Sequence, residues 1–105
     1  MKTITVKELK QKIDNQEDFQ LIDVRESFEN DICTLHGILI PMGEIPSRVN
    51  EISKDKKVII HCRSGARSAN AIAFLEQNFG FNNLYNLTGG IIAWAKEIDT
   101  NMEIY

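Results

Sequence analysis

The sequence predicts an α/β fold: a central, mostly parallel sheet of about five strands with helices on both faces. Two observations carry that prediction. Short apolar runs of strand length alternate along the chain with stretches in which apolar residues recur three or four positions apart. The runs that would form strands, such as Val58-Ile59-Ile60, are apolar throughout rather than alternating with polar residues. That is the pattern of strands covered on both faces.

In chain order, residues 4–6 read as a short strand and residues 7–15 as a helix in which Leu9 and Ile13 stand four apart. Residues 19–24 are an apolar run that ends among Asp23, Arg25 and Glu26. Residues 38–40 form a second short strand, stopped by Pro41. Ile45, Val49 and Ile52 then recur at helical spacing, and Pro46 is acceptable there because the first helical turn leaves its N–H unpaired anyway. Residues 58–61 are the strand that feeds the loop after it. Residues 69–79, with Ile72, Ala73 and Leu75 among small residues, read as the helix leaving that loop, and Gly80 is placed to end it. Residues 84–87 make another strand, and residues 91–98 a closing helix after the Gly89-Gly90 turn. Residues 100–105 carry no assignment and are expected to lie across the surface.

A chain of 105 residues suits one domain, residues 1–105, around one core. A 43% hydrophobic and 26% charged composition belongs to a soluble globular protein rather than a disordered or membrane-bound one. Twelve Lys and Arg stand against 15 Asp and Glu, for a formal net charge of −3, so nucleic acid is not an expected partner. No apolar run approaches the length of a membrane span, and Met1-Lys2-Thr3-Ile4-Thr5-Val6 lacks the apolar core of a secretory signal. The expectation is a cytoplasmic protein without membrane association. The two cysteines, Cys33 and Cys62, form no C-x-x-C pair, which argues against a disulfide framework, a zinc site and a thioredoxin-type motif. No metal or other cofactor is expected.

The chemistry concentrates in His61-Cys62-Arg63-Ser64-Gly65-Ala66-Arg67-Ser68. A cysteine placed where a buried strand ends and a helix begins faces unpaired backbone N–H groups and the positive end of the helix dipole. Arg63, Arg67 and His61 add positive charge to an otherwise acidic chain. Together these lower a thiol pKa and make the thiolate a nucleophile. Gly65 lets the loop turn tightly, Ser64 and Ser68 offer hydroxyls, and Arg67 can brace loop carbonyls or a bound anion. Asp23 is expected beside Cys62, since both end strands at the carboxyl edge where parallel sheets collect their reactive groups. Four residues separate Cys62 from Arg67, one fewer than in the oxyanion-cradling loops of protein phosphatases and arsenate reductases, which makes a smaller bowl. A single extra sulfur atom on Cys62 fits such a bowl, with backbone N–H groups directed at its charge.

Over nearly its whole length the sequence resembles the rhodanese-like sulfurtransferases in their single-domain form. Asp23-Val24-Arg25-Glu26 is similar to the family's early Asp-Val-Arg segment, and Ile40-Pro41-Met42 with Glu44-Ile45 and Arg48 to its Ile-Pro stretch. Cys62 to Arg67 matches the six-residue active loop, and Leu87-Thr88-Gly89-Gly90-Ile91 with Ala93-Trp94 the closing Gly-Gly-x-x-x-Trp signature. Among subfamilies it looks like the small domain found alone or fused to the adenylyltransferase that activates sulfur-carrier proteins. One departure is Thr34, which stands where the family commonly has His, in a connection to Pro41 that is also one residue short. It bears on the substrate entrance more than on the sulfur chemistry.

The resemblance implies a three-layer rhodanese-like fold and a thiosulfate sulfurtransferase that works through a persulfide on Cys62. The donor would be a small sulfane-sulfur compound, and the acceptor a thiol, cyanide or a sulfur-carrier or thiol protein. Arg63, Ser64, Gly65, Ala66 and Arg67 would bind substrate or shape the loop. Asp23 and Arg25 either brace that loop or form a purely structural ion pair. Gly89 and Gly90 serve a turn and close packing, Trp94 the core, and Cys33 is a buried side chain unless it lies near Cys62 as a resolving thiol. The competing functions are a non-catalytic or redox-sensing binding module and, against the loop spacing, a phosphatase or arsenate reductase.

Overall fold

A computed structural model describes residues Met1–Tyr105. Five strands form one sheet in the order β1-β5-β4-β2-β3, and every pairing is parallel. The strands are β1 (Thr3–Ile4), β2 (Phe19–Asp23), β3 (Ile38–Leu39), β4 (Lys57–His61) and β5 (Leu84–Leu87). The helices are α1 (Val6–Asp14), α2 (Ser27–Ile32), α3 (Ala66–Phe79) and α4 (Gly90–Glu97). Most elements stand where the sequence places them, within one to three residues.

The unbroken apolar pattern of β4 follows from its central position. Val58, Ile60 and Cys62 enter a core on one face with Ile22, Val24, Ile72 and Leu75, whereas Ile59 enters a core on the other with Leu9, Leu87, Ile91 and Trp94. The alternation of side chains along a strand therefore fills two cores from one run. Cys33 packs in the second core, so the sheet separates it from Cys62. Helix α3 belongs to the first face, and α1 and α4 pack together on the second.

Three departures from expectation have physical causes. First, Val6 opens α1 rather than ending a strand, because Thr5 caps the helix: the Glu8 N–H donates to Thr5 Oγ1 at 3.1 Å and Glu8 Oε1 accepts from the Thr5 N–H at 2.9 Å. Ile13, expected beside Leu9 on the buried stripe, is exposed. Second, the segment carrying Ile45, Val49 and Ile52 forms two 3₁₀ turns, Met42–Ser47 and Val49–Glu51, instead of an α-helix. Pro46 has no N–H for an i−4 bond, and Arg48 at φ −123° breaks the run, yet Ile45 and Ile52 still reach the core. Third, α2 is a helix with no counterpart in the sequence-based assignment. At its start the N–H of Glu26 donates to Glu29 Oε2 at 2.9 Å and the N–H of Glu29 donates to the Glu26 carbonyl at 3.1 Å.

The register of β2 against β4 pairs Asp23 with His61. Both strands therefore end level at the carboxyl edge of the sheet, with Cys62 immediately beyond.

Candidate active site

Helix α3 begins at Ala66, three residues earlier than its apolar spacing implies, so Arg67 and Ser68 lie in its first turn. That turn folds back over Cys62. The Gly65 N–H donates to Cys62 Sγ at 3.1 Å and the Ser68 N–H at 3.4 Å, and Ser68 Oγ lies 3.3 Å from the sulfur. Cys62 is only 1% exposed, and burial alone would push its thiol up. The hydroxyl and N–H of Ser68 and the N–H groups of Gly65 and Ser64 outweigh burial and hold it below the ordinary thiol value. The groups around the sulfur thus favour its anionic form over the neutral thiol. Gly65 makes the nest by adopting φ +114°, which a side chain would strain.

The frame around the nest comes from β5 and α4. Asn86 Nδ2 donates to the Gly65 carbonyl at 3.1 Å, and Asn86 Oδ1 lies 2.6 Å from Ser68 Oγ, so one side chain fixes both the turn and the hydroxyl. The N–H groups of Ile91 and Ile92, in the first turn of α4, donate to the carbonyls of Cys62 and Arg63 at 3.1 Å each. Such close approach requires Gly90. A Cβ there would sit 2.4 Å from the Arg63 carbonyl oxygen, and its φ is +59°.

The other expected site residues fall as follows. Ser64 and Ala66 are exposed. Arg67 braces no loop carbonyl; Nη1 and Nη2 donate instead to Glu29 Oε2 and Oε1 at 2.7 and 2.8 Å. Paired with Arg67, the Glu29 carboxyl is held down at about 2. Arg63 donates through Nε, at 2.9 Å, and through Nη2 to the main-chain oxygen of Tyr105. Asp23 and Arg25 are fully buried and grip each other, with Arg25 Nη2 2.8 Å from Asp23 Oδ2. Arg25 also donates to the Glu29 and Cys33 carbonyls and to the Tyr105 hydroxyl, at 3.3, 2.7 and 3.0 Å. None of its bonds reaches the Cys62 loop, so the pair braces α2 and the residues after it rather than the loop itself. His61 is buried, and burial holds its imidazole below the ordinary value despite the nearby Asp23 charge. Thr34 Oγ1 accepts from the His36 N–H at 2.9 Å and from Asn30 Nδ2 at 3.2 Å, which shapes the connection toward β3.

Three participants escape sequence reasoning: Glu29, Asn86 and Tyr105. Asn86 sits in a short strand whose apolar neighbours dominate its pattern, and the other two lie in segments left without an assignment. No group of three or more His, Cys, Asp or Glu side chains stands close enough to hold a metal ion. No helix is long and apolar enough to cross a membrane.

Known proteins resemble this chain in sequence and in fold. The family model described as "Rhodanese-like domain" matches residues 5–97. A protein of Allochromatium vinosum named "Sulfurtransferase" is 46% identical over 89 residues, which cover 84% of this chain and 82% of that protein. "Putative sulfur carrier protein YrkF" of Bacillus subtilis is 34% identical over 93 residues, covering 88% of this chain and 50% of that longer protein. The crystal structure of a rhodanese-like domain protein from Staphylococcus aureus superposes with a TM-score of 0.82 at 36% identity, covering 100% of this chain and 99% of that one. The chain belongs to the rhodanese-like domain family, whose sulfurtransferase members it resembles in sequence, and it has their fold.

Proposed function

We propose that this chain transfers sulfane sulfur through a persulfide on Cys62, with a small anionic compound such as thiosulfate as donor. The observation that carries the reading is the convergence of the Gly65 N–H, the Ser68 N–H and Ser68 Oγ on one buried sulfur. In the first step the Cys62 thiolate attacks the outer sulfur of the donor. A new S–S bond forms, the donor's own S–S bond breaks, and sulfite leaves with the electron pair. The product is a Cys62 persulfide anion whose charge faces the N–H groups of the loop. In the second step an acceptor thiolate or cyanide attacks the outer sulfur, takes it as a persulfide or thiocyanate, and returns Cys62 as a thiolate.

Arg63 carries the positive charge that meets the donor's anionic end, while Arg67, tied to Glu29, sets the electrostatics of the mouth. A thiol or sulfur-carrier protein suits the acceptor role, in keeping with the relative whose name includes a sulfur carrier. Incubation with thiosulfate followed by intact mass measurement tests the reading. A gain of one sulfur atom on the wild type that is absent from Cys62→Ser supports it. No adduct, or an adduct that survives the substitution, overturns it. Aryl phosphate hydrolysis dependent on Cys62 would point instead to a phosphatase.

A further inference from the structure

The last residues of the chain make more contacts with the site than a surface tail needs. The Tyr105 hydroxyl donates to Glu29 Oε1 at 2.8 Å and accepts from Arg25 Nη1 at 3.0 Å. Its ring centroid lies 5.1 Å from Arg63 Cζ and 5.8 Å from Arg25 Cζ. Its main-chain oxygen accepts from Arg63 Nε and Nη2. The neighbouring Ile104 is exposed, whereas Met102 and Tyr105 pack against the second core, so the segment is seated by that packing together with the polar contacts of Tyr105. Cys62, meanwhile, is 1% exposed, and none of the cavities in the molecule opens onto it.

We propose that Tyr105 is a specificity-determining residue for the sulfur donor: it straps the mouth of the site by occupying the face of Arg63 that an anionic donor needs. Resting on Cys62 as the nucleophile and Arg63 as the anion handle, the strap makes the two acceptors for Arg63 mutually exclusive. Nε and Nη2 point to one side of a planar group and bind either the Tyr105 oxygen or the oxygens of the donor. A small anion must displace the strap before it docks. A reagent that makes no use of Arg63 does not compete for it.

The test uses two alkylating reagents of nearly the same shape, iodoacetate, which is anionic, and iodoacetamide, which is neutral. The ratio of their rates at Cys62, followed by peptide mass spectrometry to separate Cys33, reads the availability of Arg63. Changes in thiolate fraction or loop opening cancel in the ratio. No sulfur donor is involved, so failure to form a persulfide would count against the transfer reading alone. Tyr105→Ala removes the phenol and ring that seat the oxygen, and should raise the iodoacetate to iodoacetamide ratio about fivefold, the worth of one net hydrogen bond. In an Arg63→Gln background the same change should leave the ratio flat. Tyr105→Phe, which keeps the ring and loses only the phenol bonds, should raise it by a smaller factor and serves if the alanine variant fails to fold. A ratio that stays level or falls on freeing Tyr105, or a rise that persists without Arg63, overturns the proposal.

Discussion

Glu29 and Arg67 stand 38 positions apart in the chain and are joined by two parallel hydrogen bonds, at 2.7 and 2.8 Å. The carboxylate is buried on α2, and the arginine is the second residue of α3, with its side chain partly exposed. This fork-to-fork pair fixes the arginine in one orientation, which a single point charge would not do. Glu29 therefore sets the orientation of Arg67.

Replacing Glu29 by Gln keeps the shape and removes the charge. Thiocyanate formation from thiosulfate and cyanide should fall about tenfold in Glu29→Gln, the worth of one charge-assisted bond, as Arg67 loses its fixed orientation. An unchanged rate would mean that Arg67 acts without its partner.

The same pair makes stability depend on acid. The Glu29 carboxyl is held at about 2 in the fold, against about 4.3 in an unfolded chain. Asp23 is displaced in the same direction: burial works against its charge, and Arg25 more than compensates. For a carboxyl lowered by folding, the stabilisation is complete above the unfolded value and is lost as pH falls through the folded one. Urea midpoints should therefore hold level near neutrality and drop as pH falls below about 4. The drop should be shallower in Glu29→Gln. An equal slope in the two proteins would remove Glu29 from the acid response.

The buried pair of Asp23 and Arg25 calls for a stability measurement. Both side chains are fully buried. Arg25→Met leaves Asp23 charged without its partner and empties the hydrogen bonds to the Glu29 and Cys33 carbonyls. Urea unfolding should show a loss of about 3–5 kcal/mol. A loss below about 1 kcal/mol would place the pair with exposed ion pairs, which contribute little.

Two glycines offer a matched comparison. Gly90→Ala forces a Cβ against the Arg63 carbonyl at positive φ and should cost about 3 kcal/mol. At Gly43, exposed and with nothing within 4 Å of an added Cβ, alanine should change stability by less than about 0.5 kcal/mol. Equal effects at both positions would contradict the close approach of α4 to the loop.

What the sequence makes legible depends on where each signal is local. The order strand, cysteine, glycine, helix lies within a few residues of Cys62, and β4 is apolar on both faces because both are covered, so the sheet and the nest can be read directly. The spacing of Ile45, Val49 and Ile52 suits two 3₁₀ turns nearly as well as a helix, and only Pro46 hints at the difference. Helix α2 has six residues and a single apolar pair, Phe28 and Ile32, of which Phe28 is exposed, so the spacing is too short to mark Glu29; its trace in the sequence is the three-residue spacing of Glu26 and Glu29. Tyr105 meets Arg25, Glu29 and Arg63 from 80, 76 and 42 positions away, a juxtaposition that no local pattern encodes.

The loop amides and Ser68 hold the Cys62 thiol below its ordinary value, and the pH dependence of Cys62 alkylation by iodoacetamide measures that displacement. The rate should rise with a midpoint below the ordinary thiol value of about 8.5, and the midpoint should move upward in Ser68→Ala, which removes the hydroxyl next to the sulfur. A midpoint at or above that value in the wild type would contradict the account.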